Sequence, residues 1–361
     1  NGFAVAVEAD VSGGMPALSI VGLPDSAVRE SGDRVHAAAR NLGFKWPDRR
    51  ITVNLAPADV RKTGPVYDLP LLLAVLSSAG QIEPPPEETA FLGELALDGS
   101  LRPVSGVLPM ALAAAEYGIT VLRVPAYSPY AVAEHAMATL QAANRRLHKA
   151  YNKVRDNNFD LTGLLGVDLH NKVAGILGTG RIGQCMARIC KGYGMTVIGW
   201  DAFPNKKLEE EGLLTYASKE EVLKRSDLIS IHAPLIMGEG GTYHLIDEKA
   251  ISLMKDDVML TNAARGGLID TEALIAALKQ GKFHAVALDV YEGEDANVYT
   301  DHSFDVPTED VTGRLLMFPQ VILTSHQAFF TREALQAIAT VTMENARNFN
   351  EDRPFGAAEV K

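Results

Sequence analysis

Apolar and polar positions follow two different patterns along this chain. From about residue 173 onward, apolar runs of strand length recur at 173–177, 196–200, 228–231, 258–261, 285–288 and 321–324. Stretches with helical periodicity lie between them. That alternation predicts a parallel sheet with helices on both faces, an α/β architecture. A short strand at 119–124 and a long helix from about Pro129 to Asp156 are expected just before it. The first third patterns differently. Residues 3–11 alternate like a strand, and 19–22 is a second candidate. Asp25 or Ser26 can cap a helix running to about Leu42. Residues 51–55 form a β-rich run, and Leu69 to Ser78 reads as a buried helix. Pro84-Pro85-Pro86 ends that region as a stiff loop. Residues 91–104 read as a hairpin turning at Asp98-Gly99, and Met110 to Tyr117 as another helix. Two domains follow: a smaller α+β domain over 1–117 and an α/β domain over 118–361.

Composition narrows the function. The chain of 361 residues is 47% hydrophobic and 22% charged, as in ordinary globular proteins. Its net charge of −11 argues against a DNA- or RNA-coating role, which needs clustered Lys and Arg. The longest apolar run, 69–76, is far short of the ~20 residues needed to cross a bilayer, so no membrane partner is expected. No charged-then-apolar leader opens the chain. It begins at Asn1 rather than Met, partway into a strand-like run, and a truncated or processed N-terminus is expected. The only two cysteines, Cys185 and Cys190, sit on different faces of one helix, cannot pair and match no metal spacing. They read as reduced packing thiols of a cytoplasmic protein, and no metal site is expected.

Candidate chemistry starts at Gly178-Thr179-Gly180-Arg181-Ile182-Gly183. A GxGxxG is weak evidence alone, but here an apolar strand precedes it and a helix follows. Gly178 permits a tight turn. Gly180 lets the backbone approach a pyrophosphate at the helix N-terminus, and Gly183 allows close packing of helix and strand. The next strand ends at Trp200-Asp201, roughly twenty residues on, where a carboxylate binds the adenosine ribose diol and repels a 2′-phosphate. NAD is therefore favoured over NADP. Lys206-Lys207 could reach a phosphate, but two solvated lysines are the simpler reading. The sheet is thus read as a Rossmann-type doubly wound one.

Three ionisable residues lie further on. Arg265 and His326 each sit just past a strand's carboxyl end, and Glu294 lies five residues after Asp289. Each alone has a bland reading: a surface ion pair, a solvated acid, a satisfied histidine. Together, after a cofactor turn, they are the parts needed to reduce a 2-keto acid with a nicotinamide. From about residue 115 to its end the sequence resembles the D-isomer-specific 2-hydroxyacid dehydrogenases. The matching text includes Val124-Pro125-Ala126-Tyr127-Ser128-Pro129 through His135, the glycine turn, His232-Ala233-Pro234-Leu235, and the three segments around Arg265, Glu294 and His326. The resemblance implies that His326 exchanges a proton with the substrate oxygen, that Glu294 holds the imidazole and favours its protonated form, and that Arg265 grips the substrate carboxylate. Tyr127 and Phe329 would bound the substrate, and Asp289 would tune the acid–base pair. Gly178, Gly180, Arg181, Ile182, Gly183, Asp201, His232, Pro234, Asn262 and Asp289 would form the NAD site. The loop Ile236-Met237-Gly238-Glu239-Gly240-Gly241 is longer than that family's usual loop. A small 2-keto or 2-hydroxy acid, pyruvate or D-lactate, is the implied substrate, and a homodimer the expected assembly.

Residues 1 to about 115 do not resemble that family's substrate domain. Ser19-Ile20-Val21-Gly22-Leu23-Pro24-Asp25, 49–59 and 91–104 resemble instead the N-terminal domain of ComM-type magnesium-chelatase-like proteins, with a Lon-protease-like fold. The nucleophilic serine after a Gly-Pro is absent, since Val66 follows Gly64-Pro65, so peptidase activity is not implied. No G-x-x-x-x-G-K-[ST] occurs, so the ATPase of ComM-type proteins is missing. The chain reads as a fusion with its seam near 113–119, and without the usual second wall of the cleft its turnover is expected to be impaired. The C-terminal helix, from about Arg332 to Asn348, is expected to use its exposed face to dock the new module or to associate. The alternatives are a fusion protein that binds NAD without chemistry and a nucleic-acid-associated accessory protein.

Overall fold

The computed structural model describes residues 3–85, 89–102, 104, 106–294, 297–298, 301–303, 310–351 and 353–359. Pro86 and Pro103, within the expected stiff loop and hairpin, lie outside these. The chain divides into two compact units, Asn1–Pro125 with Asn345–Lys361, and Ala126–Glu344.

In the first unit, strands β1 (Ala6–Ser12), β2 (Ala17–Val21) and β3 (Arg50–Ala56) form a sheet of order β1-β3-β2. β3 pairs antiparallel with β1 and parallel with β2. Helix α1 (Ser26–Asn41) starts where expected, because the Asp25 side chain accepts from the Val28 N–H at 2.8 Å. Helix α2 (Asp68–Ser78) buries Leu71, Leu72, Val75 and Leu76 against Ile51, Val53 and Leu55 of the sheet. The short pair β4 (Glu94–Leu95) and β5 (Leu101–Arg102) is the expected hairpin, and α3 (Val107–Glu116) follows. The expected strand at 119–124 does not form. Only Leu122 makes a single bridge, to Glu359. One isolated pair has no neighbouring ladder to make it cooperative.

The second unit opens with α4 (Pro129–Asn144) and α5 (Leu147–Arg155), where one long helix was expected. The break lies at Arg146, which takes the left-handed backbone at φ +51°. Its guanidinium bonds the Ala143 carbonyl at 2.5 Å and the His284 carbonyl at 2.8 Å, so tertiary hydrogen bonds outweigh local helix propensity. The sheet strands are β6 (Val173–Leu177), β7 (Thr196–Trp200), β8 (Thr215–Tyr216), β9 (Leu228–Ile231), β10 (Val258–Asn262), β11 (Phe283–Leu288) and β12 (Val321–Leu323). They form one seven-stranded sheet of order β12-β11-β10-β9-β6-β7-β8, parallel throughout. The helices of this part are α6 (Arg181–Gly192), α7 (Lys207–Glu210), α8 (Lys219–Arg225), α9 (Glu248–Leu253), α10 (Thr271–Lys279), α11 (Asp310–Leu316) and, as far as Glu344, α12 (Arg332–Asn350).

Strand residues alternate between two cores, except at the start of β11, where the register with β10 shifts between Val258 and Met259 and Phe283 joins the same core as Val286. Ala174, Ile176, Met259, Ala285 and Ala287 pack on one face with Met137 and Leu140 of α4 and Met186 of α6. Leu177, Leu260, Val286 and Leu288 pack on the other with residues of α8, α9 and α10. Burial on both faces explains why the strands read as continuous apolar runs. Cys185 and Cys190 are free and buried, and burial pushes the Cys190 thiol up to about 12. The fold is α/β and doubly wound, as the sequence implies. Winding starts at β6, runs out through β7 and β8, then returns to β9 on the other side. The order therefore reverses between β6 and β9, and in such sheets ligands bind outside the carboxyl ends at that point.

Candidate active site

The glycine turn lies at that reversal. Gly178 adopts φ +91°, and a Cβ there would lie 2.6 Å from the Ala233 nitrogen, so only glycine lets the turn approach the chain leaving β9. A Cβ on Gly183 would collide with the Gly178 carbonyl, which is the close helix–strand packing the sequence implies. Gly180 differs. It caps α6 without any side-chain hydrogen bond, and a Cβ there would meet nothing within 4 Å. The space beside the N-terminus of α6 is therefore open, and a pyrophosphate needs such room beside helix N–H groups. Asp201, just past β7, holds the turn from the side. One carboxylate oxygen accepts from the Thr179 N–H at 2.6 Å and its hydroxyl at 3.0 Å, while the other accepts from the Phe203 N–H at 2.9 Å.

His232 follows β9. The residue is partly buried, its Nε2 lies 2.8 Å from the Ser230 hydroxyl, and its buried Nδ1 has no partner among the described residues. Burial lowers its pKa to about 4, so the ring is neutral at ordinary pH. A buried ring nitrogen without a partner beside the glycine turn fits a polar ligand there. Pro234 follows at once. The loop after it folds on itself, with the Thr242 hydroxyl donating to the Pro234 carbonyl and accepting from the Ile236 N–H.

Arg265 sits on the turn after β10. Asn262, buried at the strand's end, donates from its amide to the Arg265 carbonyl at 2.8 Å and accepts from the Ala264 N–H at 3.0 Å. A Cβ on Gly266 would collide with the Tyr291 carbonyl, so the Arg265 turn packs directly on the chain that leads to Glu294. The side chains of Asn262 and Asp289, expected at the cofactor, are both spent on neighbouring chain groups. Asp289 accepts from the Thr324 hydroxyl at 2.6 Å and from the Gln327 and Ala328 N–H groups at 3.0 and 2.8 Å. Burial pushes the Asp289 carboxyl up, but bonds from His135, Thr324, Ala328 and Gln327 outweigh it and hold the group near 2.

Glu294 and His326 meet. Glu294 Oε1 lies 3.1 Å from His326 Nδ1, and Oε2 accepts from the Tyr291 N–H at 3.1 Å. The Glu294 hydrogen bond raises the His326 pKa above its usual 6.5. Burial and the nearby Arg265 charge oppose it, while the Glu294 and Asp289 charges reinforce it. Arg265 is therefore within electrostatic reach of the pair. Beyond His326, Phe329 packs edge-on against Tyr127 with ring centroids 6.1 Å apart. The structure thus gathers Arg265, Glu294, His326, Tyr127 and Phe329 in one unit. Nothing in the local sequence marked two further groups. His135 of α4 approaches Asp289, and His244 bonds Glu292 at 2.8 Å while stacking on Tyr243.

Residues 137–328 match a family model described as the NAD binding domain of D-isomer specific 2-hydroxyacid dehydrogenase. Residues 7–128 match one described as subunit ChlI of Mg-chelatase, so the chain joins segments of two kinds. A 2-hydroxyacid dehydrogenase homolog of Schizosaccharomyces pombe is 49% identical over 238 residues, covering 66% of this chain and 70% of that protein. The solved pyruvate reductase of Chlamydomonas reinhardtii is 45% identical with a TM-score of 0.64, over 68% of this chain and 73% of that one. The D-lactate dehydrogenase of Aquifex aeolicus, solved with NAD and lactic acid, is 37% identical with a TM-score of 0.59, over 66% and 71%.

Proposed function

The chain belongs to the D-isomer-specific 2-hydroxyacid dehydrogenases and is an NAD-dependent oxidoreductase; on that premise we propose that its substrate pair is pyruvate and D-lactate. Pyruvate and lactate are named for the solved relatives, and the Tyr127–Phe329 ring pair beside the acid–base histidine favours a small substrate. Bound NADH supplies the hydride. In this reading Gly178, Gly180, Arg181, Ile182 and Gly183 hold the pyrophosphate and Asp201 the ribose diol, with His232 and Pro234 on the nicotinamide side. Asn262 and Asp289 serve the cofactor and substrate by fixing the turns that carry Arg265 and His326. Arg265 anchors the substrate carboxylate and polarises the carbonyl. His326, kept protonated by Glu294, donates its Nε2 proton to the keto oxygen in reduction and removes it in oxidation.

The observation that carries this reading is the 3.1 Å contact between His326 and Glu294, with Arg265 in electrostatic reach. The experiment is NADH oxidation with pyruvate, against an Arg265→Ala control. We expect turnover that the substitution reduces by roughly 10²–10³-fold in kcat/KM. Saturable NADH fluorescence without keto-acid reduction above that control rejects the enzyme reading in favour of NAD binding alone. Because the ChlI-type segment stands where the family's substrate domain is expected, turnover should suffer more than NADH affinity. We put the seam near 113–119, short of residue 128 where the ChlI match ends and of Pro125 where the first unit's N-terminal segment ends. The two buried thiols favour a reducing, cytoplasmic setting, and exposed apolar side chains on and after α5 favour a homodimer.

A further inference from the structure

We propose that His135 is a positioning residue for the acid–base histidine: through Thr324 and Asp289 it fixes the turn that holds His326 against Glu294. The proposal rests on the reading of His326 as the proton-exchanging group.

The turn after β12 needs fixing. His326 adopts the left-handed backbone at φ +49°, a conformation unfavourable for a non-glycine residue that persists only where its surroundings over-determine it. Asp289 provides most of the determination. Its carboxylate takes the Thr324 hydroxyl and the Gln327 and Ala328 N–H groups, and its backbone carbonyl accepts the His326 N–H at 2.9 Å. Hydrogen bonds on both sides of His326 thus converge on one buried residue.

That residue is itself held from outside the β11–β12 pair. His135 Nε2 lies 3.3 Å from Asp289 Oδ1 and 3.2 Å from the Thr324 hydroxyl. The Thr324 hydroxyl proton is already donated to Asp289, so the hydroxyl accepts from His135, and Nε2 carries the hydrogen. His135 is mounted on a stiff support. Ser128 caps α4 by accepting from the Ala131 N–H at 3.2 Å, Pro129 opens the helix, and Ala133, Ala136, Met137 and Leu140 are buried beside the sheet. The imidazole thus registers the turn against a helix packed on the sheet. Without it, a buried carboxylate and hydroxyl lose a donor, and the turn loses its tie to α4.

The test compares His135→Ala and His135→Gln in the full chain; the Gln amide nitrogen can replace Nε2 as a donor. Four quantities are measured: the titration midpoint of the His326 imidazole by NMR, kcat and KM for pyruvate at saturating NADH, and thermal stability. We expect His135→Ala to move the His326 midpoint down by half a unit or more. We also expect it to lower kcat at least tenfold with KM changed less than threefold. His135→Gln should restore both to within threefold in kcat and a few tenths of a unit in the midpoint. A midpoint unchanged in His135→Ala, or equal losses in both variants, overturns the proposal. If the wild-type chain reduces no keto acid, the catalytic reading fails, while the NMR midpoint still decides whether His135 positions His326.

Discussion

At His326 opposing effects set the proton. The Glu294 hydrogen bond and charge raise its affinity, while burial and Arg265 lower it. A raised value keeps the imidazolium populated to higher pH, so reduction, which consumes that proton, is lost only as pH climbs past the raised value. Glu294→Gln keeps an acceptor for Nδ1 but removes the charge. The alkaline limb of kcat/KM for reduction should then move to lower pH by about one unit, roughly tenfold in rate at a fixed pH on that limb. The limb for oxidation, which needs the neutral ring, should move the same way. Superimposable profiles for variant and wild type would contradict the role given to Glu294. Arg265, Glu294 and His326 were legible as residue types at or beyond strand ends, where α/β folds place chemistry. His135 was not, because its partner Thr324 is nearly two hundred positions away and no local spacing encodes that contact. Nor did local sequence show that Asn262 and Asp289 turn their side chains to neighbouring loops, which depends on how those loops pack.

At the scale of elements, the two later glycines of the turn make opposite demands. Gly180 sits at an ordinary φ of −63° with open space around its missing side chain, so a larger residue there should fold. The space it fills is the proposed pyrophosphate cradle. Gly180→Val should weaken NADH binding tenfold or more in a fluorescence titration, with a melting temperature within about 2 °C of wild type. Gly183→Ala places a methyl against the Gly178 carbonyl and should lower the melting temperature by several degrees. If Gly180→Val binds NADH normally, the cradle has been placed wrongly. The glycine turn and the strands of the parallel sheet were legible because burial on both faces writes continuous apolar runs into the sequence. The break between α4 and α5 was not, since no Pro or Gly marks it. It depends on Arg146 reaching the start of β11, a contact that only the folded chain creates.

At the scale of the molecule, the assembly expected for this chain has a candidate surface. Helix α5 has no residue wholly buried, though the His148 ring nitrogens are, and it shows Leu147, Tyr151 and Val154 on one face. The chain that follows leaves Phe159, Leu161 and Leu165 at 72, 79 and 86% exposure. So many large apolar side chains in one stretch are unusual on a monomer. Lys149 and Asp156 put both signs of charge in the same patch, which a self-complementary two-fold contact can use, while Lys153 and Asp160 pair within the chain at 3.6 Å. The wild-type chain should therefore run as a dimer in light scattering at micromolar concentration. Tyr151→Glu with Leu161→Glu should shift it to monomer while the circular dichroism spectrum is retained. Those positions lie outside the constellation around His326, so the substituted chain should still bind NADH. A wild-type monomer, or a dimer indifferent to both substitutions, would remove this surface from the assembly and leave α12, the other face expected to associate, as the next to test.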